Sequence, residues 1–140
     1  MFMGEYNHTV DAKGRLIVPS KFREPLGEDF VVPRGLDGLL SGAASDQWTA
    51  PQPRLPARPY TPPPARNPPR FLVASAATCE VDKQGRILLP AALREYAGIE
   101  KDAVLVGMGS RIEIWSREAW TAKNDFSDIE EIAEDLGGLL

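Results

Sequence analysis

Hydrophobic positions in this chain come in short bursts. Two matching runs, RLIV at 15–18 and RILL at 86–89, each follow a glycine and precede a proline. Runs of this length suit a buried strand and are too short for a helix. Extended segments lead into them at 5–10 and 78–81, through the turns AKG and KQG, where glycine takes positive φ at little cost. Pro19 and Pro90 suit the first turn of a helix, where a missing N–H is not needed. The short helices SKFRE and AALREYA follow, stopped by Gly27 and Gly98, and Pro25 is expected to cut the first one short. Further strands are expected at 103–106 and 111–115, around Gly107 and Gly109; RIEIW alternates as a half-exposed strand does. In the first half, 29–32 reads as a strand before a GLDG turn. The segment LLSGAAS beyond Gly38 has weak strand propensity, so that half is expected to lack the partner strand. Near the C-terminus, apolar residues at 126, 129, 132, 133 and 136 have helical spacing, with acids in the opening turns that suit the helix dipole.

The pattern occurs twice. Residues 10–27, VDAKGRLIVPSKFREPLG, and 81–98, VDKQGRILLPAALREYAG, align without a gap at an offset of 71 residues. Two copies are too few for a solenoid and point to two half-folds that complete each other, presenting one surface twice. The expected fold is mainly β with short helices. Its expected units are a first repeat at 5–47, a Pro/Arg-rich connection at 48–75, a second repeat at 76–119 and an acidic C-terminal helix or tail at 120–140. Within the connection, nine of residues 51–69 are proline, interleaved with Arg54, Arg58 and Arg66. That density excludes helix and sheet interior and reads as a polyproline-like or disordered linker.

Charge changes the picture through its distribution. The 140-residue chain has 16 basic and 20 acidic residues, a net charge of −4. Six of those acids lie in 124–140, which holds no Lys or Arg; the remainder has 16 basic and 14 acidic residues, a net of +2. An acidic total therefore leaves room for a basic working face. Cys79 is the only cysteine, which excludes an intrachain disulfide framework and a Cys-based zinc site. His8 is the only histidine and is expected to be structural; no metal or cofactor is expected. The N-terminus lacks the basic-then-apolar order of a signal peptide, and no apolar run is long enough for a membrane helix. The expected location is cytoplasmic. No Ser/His/Asp, Cys/His, Walker or HExxH pattern occurs, and nothing pairs Glu113 or Glu118 into an acid/base set, so no enzymatic activity is expected.

The chemistry concentrates at the two turns. Arg15 and Arg86 follow Gly14 and Gly85, at the edge of a strand near a hairpin tip, where a guanidinium can be aimed outward. Asp11 and Asp82 lie four residues earlier, positioned to pair with that arginine or with turn N–H groups. Arginine suits bidentate recognition of phosphate or a guanine edge. The spacing alone serves equally well for an ion pair that merely pins the turn; a symmetric pair on one face favours recognition. Lys13, Lys21, Arg23, Lys83 and Arg94 cluster nearby, as phosphate contacts or as a solvated face.

The segments MFMGEYNHTVDAKGRLIVPSKFRE and CEVDKQGRILLPAALREYAGIEKD resemble the two repeats of the bacterial MraZ family, across residues 1–38 and 71–136. The resemblance implies a SpoVT/AbrB-type fold: a pseudo-twofold swapped-hairpin barrel, AbrB/double-psi-like, built from both halves of one chain. It also implies transcriptional repression through short direct repeats of double-stranded promoter DNA, in the division and cell-wall gene cluster that includes the protein's own gene. A ring-like homo-oligomer and a nucleoid-associated location come with it. Arg15 and Arg86 would be the principal DNA contacts, assisted by Lys13, Lys83, Lys21, Arg23 and Arg94 and supported by Asp11, Gly14, Asp82 and Gly85. Related barrels also serve as protein-binding modules of antitoxin or adaptor type, which is the alternative reading. The departure lies at 39–70, where the family places an aromatic strand and two helices and this chain has its proline tract.

Overall fold

A computed structural model describes residues 1–46, 48, 71, 73–124 and 129–135. The first repeat forms β1 (Glu5–Thr9), β2 (Arg15–Ile17), α1 (Ser20–Leu26), β3 (Asp29–Val32), a 3-10 turn (Leu36–Gly38) and β4 (Leu40–Ala44). The second forms β5 (Ala77–Glu80), β6 (Arg86–Leu88), α2 (Ala91–Ala97), β7 (Asp102–Gly107) and β8 (Ile112–Ser116), followed by α3 (Arg117–Lys123) and α4 (Ile129–Asp135).

The halves exchange strands. β1 pairs with β7 and β5 pairs with β3, so the first strand of each repeat lies against the third strand of the other. The equivalent strands β4 and β8 pair with each other, as do β2 and β6. The result is a six-stranded antiparallel sheet, β1-β7-β8-β4-β3-β5, whose two edge strands turn into the ribbon β2-β6. At each turn an amide bonds back to a carbonyl, Asp11 to Arg15 at 3.0 Å and Asp82 to Arg86 at 2.8 Å. The expected mainly-β, pseudo-twofold, swapped-hairpin arrangement is observed. Neither half can satisfy its backbone alone, because each edge needs the other repeat.

The core lies inside this wrap. Leu16, Val18, Phe22, Leu26, Phe30 and Leu40 from the first repeat meet Ile87, Leu89, Leu105, Ile112 and Ile114 from the second, all essentially free of solvent. Phe22 receives Phe2 and Tyr6 edge-on at 5.6 and 5.2 Å, an orientation that adds to simple area burial. A smaller cluster, Leu39, Val104, Val106 and Trp115, is covered by Ala119 and Trp120 of α3. Ser116 starts that helix by accepting a hydrogen bond from the Ala119 amide at 3.1 Å. The break before α3 falls inside the segment assigned to the second repeat. α4 (Ile129–Asp135) falls within the C-terminal segment expected to be helical, while positions 126 and 136 of its apolar series lie outside the described residues.

Two expectations are corrected. The first half does have its partner strand: LSGAA at Leu40–Ala44 is β4, alternating buried and half-buried positions. Its weak propensity is overridden by fit. Gly42 is set between neighbours so tightly that a Cβ there would lie 3.1 Å from Ile112 Cγ1. Small residues are what this close pairing with β8 requires, and strand preference follows packing more than backbone. Pro25 does not shorten α1, which runs to Leu26 and matches α2 in length at seven residues. So near the helix end, proline forgoes only the bond its N–H would return toward Lys21, and the Gly27 amide caps the Arg23 and Glu24 carbonyls. The tract at 51–69 lies outside the described residues. Its C-terminal flank is tied down: Arg34 donates to the Phe71 carbonyl at 3.1 Å and stacks over the Phe71 ring at 4.4 Å.

The seat of β4 gives a first prediction. Gly42→Val adds a branched side chain against Ile112 and should cost about 1–3 kcal/mol of stability, read as a lower urea midpoint at unchanged slope. An unchanged midpoint would show that the β4–β8 contact is looser than described.

Candidate functional site

The ribbon β2-β6 brings the two conspicuous arginines together. Its register sets Arg15 opposite Leu88, Leu16 opposite Ile87 and Ile17 opposite Arg86. Side chains alternate across a strand. Leu16 and Ile87 therefore enter the core, 0% and 1% exposed, while Arg15, Ile17, Arg86 and Leu88 share the outer face.

Each arginine is held from behind. Arg15 Nε donates to Asp11 Oδ2 at 2.7 Å, and Arg86 Nε donates to Asp82 Oδ2 at 3.0 Å. The other oxygen of each carboxylate accepts turn amides: Asp11 Oδ1 from Lys13 and Arg15, Asp82 Oδ1 from Gln84 and Arg86, all at 2.9 Å. The carboxylate thus fixes turn and guanidinium together. Neither of the two Nε bonds uses Nη1 or Nη2, which form the end-on fork of each guanidinium. That fork is the part of arginine that matches phosphate or guanine in a bidentate way. The copies differ slightly, since Arg86 Nη1 also lies 4.0 Å from Asp11 Oδ2 across the pseudo-twofold.

The Arg15 backbone amide is the largest influence holding the Asp11 carboxyl below the usual carboxylate range. Partial desolvation opposes it, and Arg15 Nε and the Lys13 amide act in the same lowering direction. Asp82 is lowered likewise, first by the Arg86 amide. Exposed pairs of this kind add little to stability; here their effect is to orient.

The two glycines do more than turn the chain. Gly14 and Gly85 have φ of 86° and 78°. Each carbonyl accepts from the opposite repeat: Val18 N–H bonds to Gly85 O at 2.9 Å, and Leu89 N–H to Gly14 O at 3.0 Å. Beneath them lie the other repeat's helix arginines. A Cβ on Gly14 would fall 3.0 Å from Arg94 Cζ, and one on Gly85 would fall 2.8 Å from Arg23 Cζ. Arg94 Nε donates to the Leu89 carbonyl at 3.1 Å. Arg23 and Arg94, grouped from sequence with the phosphate-contacting residues, sit partly buried under the turns. The signal for this was present: a glycine nine residues before an arginine in both copies. Lys13 and Lys83 are exposed on the turns themselves, and Lys21 is exposed on the first turn of α1.

Other candidates resolve into structure. The Glu113 carboxylate is buried, yet it accepts from Trp115 Nε1 and Arg111 Nη2, both at 3.1 Å. Burial pushes the Cys79 thiol up to about 11, which leaves it unreactive at neutral pH. Among the described residues no three His, Cys, Asp or Glu side chains gather as a metal site. No helix among them is long and apolar enough to cross a membrane.

A mainly-β, swapped-hairpin fold with two aspartate-supported arginines on one outer ribbon defines the class of protein. Comparison with known proteins gives the particular family. A family model described as "MraZ protein, putative antitoxin-like" matches residues 1–67 and 72–135. A protein of Thermoanaerobacter sp. strain X514 called "Transcriptional regulator MraZ" is 50% identical, with 99% of each chain covered. Proteins of the same name are 55% identical in Desulfitobacterium hafniense strain Y51, covering 98% of this chain and 99% of that one, and 53% in Lachnoclostridium phytofermentans, covering 97% and 95%. The chain belongs to the MraZ family.

Gly85→Ala should cost about 1–3 kcal/mol through its positive φ alone, with further loss as Arg23 is displaced; a chemical denaturation curve measures it. The aspartates give a pH prediction. Their folded-state values are lowered, so their contribution to turn order is complete above the ordinary carboxylate range and is lost as pH falls through the lowered values. Carboxyl NMR titrations should place Asp11 and Asp82 below 3.8, and turn amide shifts should stay constant from about pH 5 to 8.

Proposed function

We propose that this protein is a DNA-binding transcriptional repressor whose reading head is the outer face of β2-β6. The observation that carries the proposal is the duplicated arginine on the outer face, gripped at Nε by Asp11 or Asp82 with its terminal fork outside those bonds. Two strands fit the major groove of B-form DNA, where an arginine fork matches the O6 and N7 edge of guanine. Lys13, Lys83 and Lys21 stand near as phosphate contacts, which position without reading sequence. Arg23 and Arg94 act from beneath, by holding the turns. The naming of the relatives as transcriptional regulators supports the same reading.

The targets are short direct repeats in the promoter of the division and cell-wall gene cluster, the protein's own gene included. One ribbon covers few phosphates, so a single protomer binds weakly and with strong salt dependence. Several protomers in a ring, each on one repeat, gain affinity through effective concentration. No catalytic step is involved, and the protein works in the cytoplasm on the nucleoid.

The test is Arg15→Ala combined with Arg86→Ala, titrated by fluorescence anisotropy against a duplex from upstream of the gene. Each lost bidentate contact should cost about 1–3 kcal/mol of binding, and each lost phosphate contact should lower the salt slope by about one. Unchanged affinity overturns the site. Failure of the unaltered protein to bind at low salt, with firm retention of a partner protein, supports the antitoxin- or adaptor-type module instead.

A further inference from the structure

The outer face of the ribbon holds two residues that the arginine reading does not use. Ile17 is 42% exposed and Leu88 59% exposed. Single exposed aliphatic residues need no explanation, but these two occupy equivalent places in the repeats. Each stands directly opposite an arginine, Ile17 beside Arg86 and Leu88 beside Arg15. The face is therefore a two-by-two checkerboard of guanidinium and branched hydrocarbon. Its neighbours Lys13 and Lys83 are cationic, and its nearest carboxylates, Asp11 and Asp82, are already engaged by the arginines. A cationic surround argues for a polyanion as the occupant, and the hydrocarbon must then meet something apolar on that polyanion. In the major groove the apolar feature of a base edge is the 5-methyl group of thymine.

We propose that Ile17 and Leu88 are specificity-determining residues that contact thymine methyl groups, so that the ribbon reads guanine through Arg15 and Arg86 and thymine through the residues facing them. The inference rests on the DNA-binding reading above. It adds a requirement that arginine and phosphate contacts do not impose, namely methyl groups in the groove.

The experiment uses the full chain and two duplexes from upstream of the gene, one natural and one with every thymine replaced by deoxyuridine. Binding is measured for the unaltered protein and for Ile17→Ala combined with Leu88→Ala. Removing the methyl groups should weaken binding by the unaltered protein about fourfold for each methyl contacted. The variant should bind the natural duplex more weakly, fail to distinguish the two duplexes, and keep its salt slope. Equal binding of both duplexes by the unaltered protein overturns the inference, and leaves the DNA-binding reading standing if the double arginine variant still loses affinity. A variant that still discriminates thymine from deoxyuridine but changes assembly state by light scattering also overturns it, and assigns the pair to self-association. Absence of binding to either duplex at low salt removes the DNA-binding reading and this inference together.

Discussion

Leu16 and Ile87 face each other across the pseudo-twofold axis, and the rest of the molecule depends on that antiparallel pair. It joins the two edges of the six-stranded sheet, seals the core from one side, and fixes which residues look outward. A slip of one residue would bury Arg15 and Arg86 and expose Leu16 and Ile87. Register is held by more than hydrophobicity. Each glycine carbonyl accepts from the opposite repeat, and each helix arginine lies under the opposite turn. The lock is reciprocal, so neither repeat can adopt its geometry without the other.

Stability and recognition are divided between layers of the same few residues. The inward layer, Leu16, Ile87 and their neighbours, supplies burial. The layer beneath the turns, Arg23 and Arg94, supplies shape and leaves no room for a side chain on Gly14 or Gly85. The outward layer supplies chemistry at little energetic gain to folding, because its ion pairs are exposed. That separation lets the outer residues change without loss of the frame, while a side chain on Gly14 or Gly85 would crowd the arginine beneath it.

Much of this was legible in the chain. A gapless repeat with glycine turns and short apolar runs is enough for two interlocked β halves, and the four-residue Asp-to-Arg spacing is enough for a supported guanidinium. What escaped had a common cause: it depended on partners distant in sequence. LSGAA has little tendency to form a strand by itself; Ile112 and Phe30 make its small residues an asset. Pro25 looked like a helix breaker because its position relative to the cap at Gly27 decides the cost. The seat of Arg23 and Arg94 beneath the other repeat's turn depends on the swap, which the local sequence does not show.

The near-symmetry of the ribbon has a consequence for polarity. A face that maps onto itself by a half-turn presents nearly the same pattern in two opposed headings, as a palindrome does. A ligand meeting it is told apart from its own reversal where the copies differ, as in Lys13 against Gln84, Ala12 against Lys83, Ile17 against Leu88 and Lys21 against Ala92. Direction along a target is therefore encoded in small mismatches between otherwise matching halves. The divergence of the repeats, rather than their likeness, carries the sense of heading.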